Sequence, residues 1–156
     1  MELLCETPRA WVELAIDRFD EVLVDHAHCE KKAAASALSL LAAFPSVPGL
    51  ARAMARLARE ESGHLAQVLA FVEKRGLSLG RDLGDPYAER LRLLAAHLRD
   101  PELRGFYGRL ASAEKGHGEL FLRLAARCEG FDARLAEVRG AEAKLVRELP
   151  LRAAIH

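Results

Sequence analysis

The sequence predicts an all-α protein, a four-helix bundle with an extra N-terminal helical segment and a C-terminal helix. Three observations lead there. No stretch alternates apolar and polar residues with the strand period of two over a useful length. Ala, Leu, Arg and Glu dominate a chain of 156 residues that holds only 11 Gly and 6 Pro, a helical composition. Proline and glycine breaks then divide the chain into segments of helical length, two of which repeat each other.

Taken in order, Thr7-Pro8 reads as an N-cap and first-turn proline, opening a helix through Trp11 and Ile16. A second helix covers about Phe19 to Phe44, following the first directly or continuous with it. Pro45 and Pro48 end it, and Ser46 is placed to cap the next. That helix runs from about Pro48 to Lys74 and stops at Arg75-Gly76, a basic residue and a C-cap glycine. Leu77 to Pro86 reads as a loop rich in Gly and Asp. Asp85-Pro86 starts a short helix ending near Arg99, and Asp100-Pro101 starts a longer one ending between Cys128 and Gly130. A last amphipathic helix covers about Asp132 to Leu149. The length suits a single domain spanning 1–156.

Composition excludes several classes. With 23 basic and 23 acidic residues the formal net charge is zero, so the strongly basic surface of a general nucleic-acid binder is missing. Cys5, Cys29 and Cys128 are widely spaced and odd in number, which points to a reducing compartment rather than a disulfide scaffold. No signal peptide is evident, and the least polar run, Ala33 to Phe44, is too short to cross a bilayer. A soluble cytoplasmic protein with no membrane partner is expected.

The repeat carries the chemistry. A shift of 53 sets Pro48 on Pro101, Leu57-Ala58 on Leu110-Ala111, Glu61 on Glu114 and His64 on His117. A Glu and a His three apart lie on one helix face and can reach the same ion. Around Glu61 that face carries Met54, Leu57, Ala58, Leu65 and Val68. Around Glu114 it carries Tyr107, Leu110, Ala111, Phe121 and Leu122. A bare carboxylate on such an inward face costs several kcal/mol (about 3–5 when its partner is removed) unless it is paired or metal-bound. Glu30 adds a third carboxylate, on a face with Leu23, Ala33, Ala34, Ala37, Leu38 and Leu41. It lies about as far before Ser46 as Glu61 lies after it, so an antiparallel hairpin sets the two at one height.

Glu-x-x-His from each of two helices, with further glutamates from the others, is the di-metal site of ferritin-like bundles. The expected metal ligands are therefore Glu30, Glu61, His64, Glu114 and His117. One imidazole per metal among carboxylates suits iron or manganese, whereas zinc draws Cys or several His. His26, one turn before Glu30, is either a partner of that carboxylate behind the metal or a core or interfacial histidine hydrogen-bonded to a carboxylate. His28 and Cys29 fall off the Glu30 face and read as structural.

The run Asp25-His26-Ala27-His28-Cys29-Glu30-Lys31-Lys32-Ala33-Ala34, then Ala37-Leu38-Ser39-Leu40-Leu41, is more specific than any metal template. With Ala55-Arg56-Leu57-Ala58-Arg59-Glu60-Glu61 and His64, it resembles the bacterial tRNA-(2-methylthio-N6-isopentenyladenosine) hydroxylase family. Arg104-Gly105-Phe106-Tyr107, Ser112-Ala113-Glu114 and His117 extend the likeness over nearly the whole chain. The resemblance implies a non-haem di-iron monooxygenase, with two iron ions as cofactors and dioxygen as co-substrate. Its substrate would be the isopentenyl group of the modified adenosine 37 on tRNA, with electrons from a reductase. It also implies an apolar prenyl pocket and a basic rim for the anticodon loop, for which Lys31, Lys32, Arg52, Arg56 and Arg59 are the candidates.

The pattern breaks in the third helix. Glu30 precedes Glu61 by 31 residues, so the fourth carboxylate is expected near position 83, which is Leu83 in a loop. The family's third helix is longer, and Ala88-Glu89-Arg90-Leu91 reads as the end of its motif. Asp85 and Glu89 are the available substitutes. A bundle short on one side would leave an apolar trough that favours a homodimer. Two other readings stand beside the hydroxylase: a ferritin-like iron-binding protein without a tRNA role, and a truncated, metal-free interaction module.

Overall fold

The computed structural model describes residues 7–80, 89–148 and 150–154. Six helices follow in order: α1 (Arg9–Asp17), α2 (Phe19–Ala43), α3 (Leu50–Lys74), α4 (Glu89–His97), α5 (Pro101–Ala125) and α6 (Phe131–Glu148), with no strand among the described residues. α1 and α2 are separate helices, since Arg18 between them leaves helical geometry at φ −110°, ψ 42°.

The helix ends show which local signals act. Asp100 caps α5 as expected, its carboxylate accepting from the N–H groups of Glu102 and Leu103 at 2.8 and 3.3 Å. At the end of α3, Gly76 takes φ 67°. Its N–H donates to Glu73 O at 2.9 Å and that of Leu77 to Val72 O at 3.0 Å. This double closure is the Schellman motif, which needs a left-handed residue after the cap. The start of α3 differs from expectation. Gly49, at φ 81°, holds the cap position with no side-chain bond, and the helix begins at Leu50. Ser46 does not cap it, because the left-handed glycine reverses the chain three residues later.

Two compact units are formed, one from Ala15–Ala88 with Ala153–His156, the other from Met1–Leu14 with Glu89–Arg152. In the first, α2 and α3 pack as a hairpin around Val22, Leu23, Ala27, Met54, Leu57 and Val68, all buried. Arg75 closes its open end, with Nε 2.6 Å from Asp20 Oδ1 and its guanidinium over the Phe19 ring. In the second, α4 packs on α5 and Trp11, Leu94, Leu103, Tyr107 and Leu110 are buried. Arg90 is buried too, stacked 5.0 Å over the Trp11 ring, where its charge meets the π-face rather than water.

The apolar faces are narrower than the periodicity suggested. Leu38 is 55% exposed and Phe121 41%, so neither belongs to the core face assigned to it. Each lies towards the end of its helix's apolar stripe, where helical spacing continues but the covering residues do not.

An added Cβ at Gly76 would meet nothing within 4 Å, so only conformation opposes a side chain there. Gly76→Ala should lower unfolding free energy by about 1–2 kcal/mol, read as a lower urea midpoint at unchanged slope.

Candidate metal centre

Burial selects the carboxylates. Glu30 and Glu61 are 4% and 2% exposed, in a hairpin whose other buried residues are mostly hydrocarbon. Glu30 comes from the middle of α2 and Glu61 from the middle of α3. Glu30, Glu61 and His64 each present a ligand atom within 4.8 Å of the others. His64 Nδ1 lies 3.2 Å from Glu61 Oε2 and 3.7 Å from Glu30 Oε2. On its other oxygen, Glu30 Oε1 is 2.7 Å from His26 Nε2. This contact ties His26 to Glu30, as both readings of that histidine expect.

The second copy repeats this geometry within its own unit. On α5, His117 Nδ1 lies 3.2 Å from Glu114 Oε1, the same atom pairing and distance as His64 to Glu61. His117 is buried and Glu114 half-buried. The two pairs, 53 residues apart in sequence, thus match at the level of individual atoms.

Electrostatics follow from burial. Desolvation pushes the Glu30 carboxyl up, but hydrogen bonds from His26 and His64 outweigh it and hold the group at about 2. Hydrogen bonds to Glu30 and Glu61 raise His64 to about 9 against its own desolvation. With no metal, a proton on His64 is the positive charge between two buried carboxylates. A divalent cation on the same oxygens and Nδ1 would take the place of that proton as counter-charge. The donor set, hard oxygens with one imidazole, fits iron or manganese.

The other assigned residues fall as follows. His28 is buried away from the carboxylates. Its Nε2 donates to Gly80 O at 2.9 Å and its Nδ1 accepts from Lys31 Nζ at 2.9 Å, so it ties the segment after α3 back to α2. Cys29 Sγ donates to Asp25 O at 3.0 Å. Both are structural, as expected. Lys31, Arg52, Arg56 and Arg59 are exposed and Lys32 is half-buried. Glu89 opens α4; Asp85 and the position near 83 lie outside the described residues. The sequence offered no signal for the His28–Gly80 bond, which joins residues 52 apart through a backbone carbonyl.

Comparison with known proteins decides the family. Residues 1–92 match the family described as tRNA-(MS[2]IO[6]A)-hydroxylase (MiaE). A Pseudomonas putida (strain KT2440) protein, tRNA 2-(methylsulfanyl)-N(6)-isopentenyladenosine(37) hydroxylase, is 35% identical over 175 residues, covering 91% of this chain and 85% of its own. The chain belongs to this hydroxylase family. Because 91% of 156 residues is spread over 175 positions, the relative carries residues without counterpart here. A solved structure, Protein 43 with aldehyde deformylating oxygenase activity from Synechococcus, superposes with a TM-score of 0.89 at 33% identity, covering 99% of this chain and 94% of that one. The fold is therefore ferritin-like. No described helix is long and apolar enough to cross a membrane.

A pH dependence follows for the metal-free protein. His64, raised from 6.5 to about 9, contributes stability that is full below pH 6.5 and lost as pH rises through 9. Glu30, lowered from 4.5 to about 2, contributes stability that is full above pH 4.5 and lost as pH falls towards 2. Chelator-treated protein should be most stable between about pH 4.5 and 6.5 and lose on the order of 2 kcal/mol by pH 9. Urea titrations across this range should show the alkaline loss in wild type and a flatter profile in His64→Gln.

Proposed function

We propose that this protein hydroxylates the isopentenyl group of 2-methylthio-N6-isopentenyladenosine at position 37 of tRNA, using dioxygen at a di-iron centre. The observation that carries it is the buried Glu30–Glu61–His64 cluster, with its repeat at Glu114–His117, in a chain belonging to the hydroxylase family. Bound iron would supply the activation of dioxygen. Glu30, Glu61, His64, Glu114 and His117 would hold two irons, with Asp85 and Glu89 the candidates for the remaining carboxylate.

The protein's own residues do the rest. His26 fixes Glu30 by holding one carboxylate oxygen, leaving the other turned to His64. Such support behind a ligand commonly matters tenfold or more in metal affinity. If Nδ1 of His64 takes a metal ion, the proton it shares with Glu61 and Glu30 has to leave, so loading would release that proton. The overall reaction balances as one C–H bond broken and one C–O bond formed. The second oxygen atom leaves as water with two electrons and two protons, and an electron-donating reductase is their source. A cytoplasmic setting and a homodimer belong to the same reading.

A second reading rests on the Synechococcus structure, named for an aldehyde deformylating oxygenase activity, at nearly the same identity. Offered both substrates with ferrous iron and a chemical reductant, the protein should add one oxygen to prenylated tRNA and leave an aldehyde intact. Loss of the formyl carbon from the aldehyde, with untouched tRNA, would replace the first reading by the second.

The ligand assignment has its own test. Wild type should load about two irons per chain, and ferrous affinity should rise about tenfold per pH unit below 9, one proton leaving with each step. Glu114→Ala should abolish loading while far-ultraviolet circular dichroism stays helical. Unchanged iron stoichiometry in that variant removes Glu114 from the ligands.

A further inference from the structure

From Lys31 to Arg59 the chain runs 29 residues with five basic side chains, Lys31, Lys32, Arg52, Arg56 and Arg59, and not one acidic residue. In a protein with as many acids as bases, that is a local segregation of charge. The stretch is one end of the α2–α3 hairpin, from the level of Glu30 and Glu61 out to the turn. Arg52, Arg56 and Arg59 follow the spacing i, i+4, i+7, a single stripe along α3. All three are exposed, on the face away from buried Met54, Leu57, Ala58 and Glu61. Arg56 has Glu60 as a loose partner, Nε to Oε1 3.6 Å, with both side chains in solvent. The turn itself presents Phe44 and Val47, 53% and 42% exposed, with Leu38 one and a half turns before Phe44.

We propose that this acid-free end of the hairpin is an RNA-docking platform, with the Arg52, Arg56 and Arg59 stripe taking phosphates and the Phe44 ring stacking on an unpaired base. The proposal rests on the tRNA reading above and adds where the RNA is held. A cationic stripe and an exposed aromatic ring on the same end of a hairpin form the combination that binds single-stranded nucleic acid, charge for the backbone and a π-face for the base. Leaving a ring like Phe44 half in water forgoes the gain from burying it, and stacking on a base recovers this. The stripe lies opposite the buried carboxylates on α3, so phosphates bound there stay away from Glu61. Docking and chemistry would use different faces of the same helix.

The test uses the full chain and an unmodified anticodon stem-loop RNA, with anionic phosphatidylglycerol vesicles as a second probe. Phe44→Ala should weaken RNA binding about tenfold. Replacing Arg52, Arg56 and Arg59 together by Gln should lower the slope of log affinity against log salt by about 2. A control triple with the same charge change elsewhere, Arg123→Gln, Arg134→Gln and Arg147→Gln, should leave the slope near wild type. In hydroxylation assays the tip variants should raise the KM for prenylated tRNA, with iron content as in wild type. Equal losses in the control triple would reduce the effect to net charge and overturn the platform, as would vesicle binding in place of RNA binding. Wild-type turnover with unchanged KM in the tip variants overturns the platform and leaves the hydroxylase reading standing. Tip-dependent RNA binding without any turnover does the reverse.

Discussion

Two glutamates inside one helix hairpin set the terms for the rest of this protein. Glu30 and Glu61 are nearly inaccessible, and a buried carboxylate left unpaired costs several kcal/mol, an appreciable part of a small protein's stability (about 5–15 kcal/mol). The hairpin survives this because each carboxylate has a partner at one turn's distance: His26 before Glu30, His64 after Glu61. Those partners fix side-chain orientation as well as charge. His26 occupies one oxygen of Glu30, so the other is left facing Glu61 and His64. The contacts that make the polar cluster tolerable also hold its donor atoms within 4.8 Å of one another, an arrangement that fits a metal ion. The proton on His64 and a metal ion are alternative solutions to one electrostatic problem, so the state without metal remains folded while holding the donor atoms together.

How much of this could be read from the sequence depended on whether the relevant physics was local. A Glu and a His three apart share a helix face whatever surrounds them, so the pairs Glu61–His64 and Glu114–His117 were legible, and the repeat made them specific. The common height of Glu30 and Glu61 was legible too, since it needs only the turn between Pro45 and Pro48 and the helical rise. Asp100 and Gly76 were legible for the same reason: a cap is decided within a few residues. Ser46 failed as a cap because Gly49 offered the chain a left-handed residue closer to the helix start. Leu38 and Phe121 lay on the right stripe by periodicity yet face solvent, because burial is decided by what packs against a helix and periodicity carries no word of that. The bond of His28 to Gly80 is tertiary throughout, and its one sequence trace was that His28 falls off the Glu30 face.

The half of the chemistry that repeats and the half that does not have different standing. Ligand pairs on α3 and α5 need two residues each, and small changes around them leave the arrangement intact. Substrate selection needs a shaped surface, and it is here that relatives part: proteins at 35% and 33% identity are named for a tRNA hydroxylase and an aldehyde deformylating oxygenase activity. A ferritin-like scaffold can keep its ligand pairs and still present a differently walled pocket.

Charge makes the final link between the cluster and the substrate. A net charge of zero argues against a protein that binds nucleic acid over its whole surface, but it says nothing about where the charges lie. In this hairpin the acids stop at Glu30 on α2 and resume at Glu60 on α3, with only Lys and Arg between them. Carboxylates are kept at the level where a cation is needed and withdrawn from the end beyond it. A polyanion approaching that end meets no negative charge on the stretch, and the screening length of about 8 Å in physiological salt dulls its repulsion from acids further down the hairpin. Glu30, which gathers positive charge inside the hairpin, and Glu60, next to Glu61, therefore bound a stretch whose charged residues are all basic, the end proposed above for RNA.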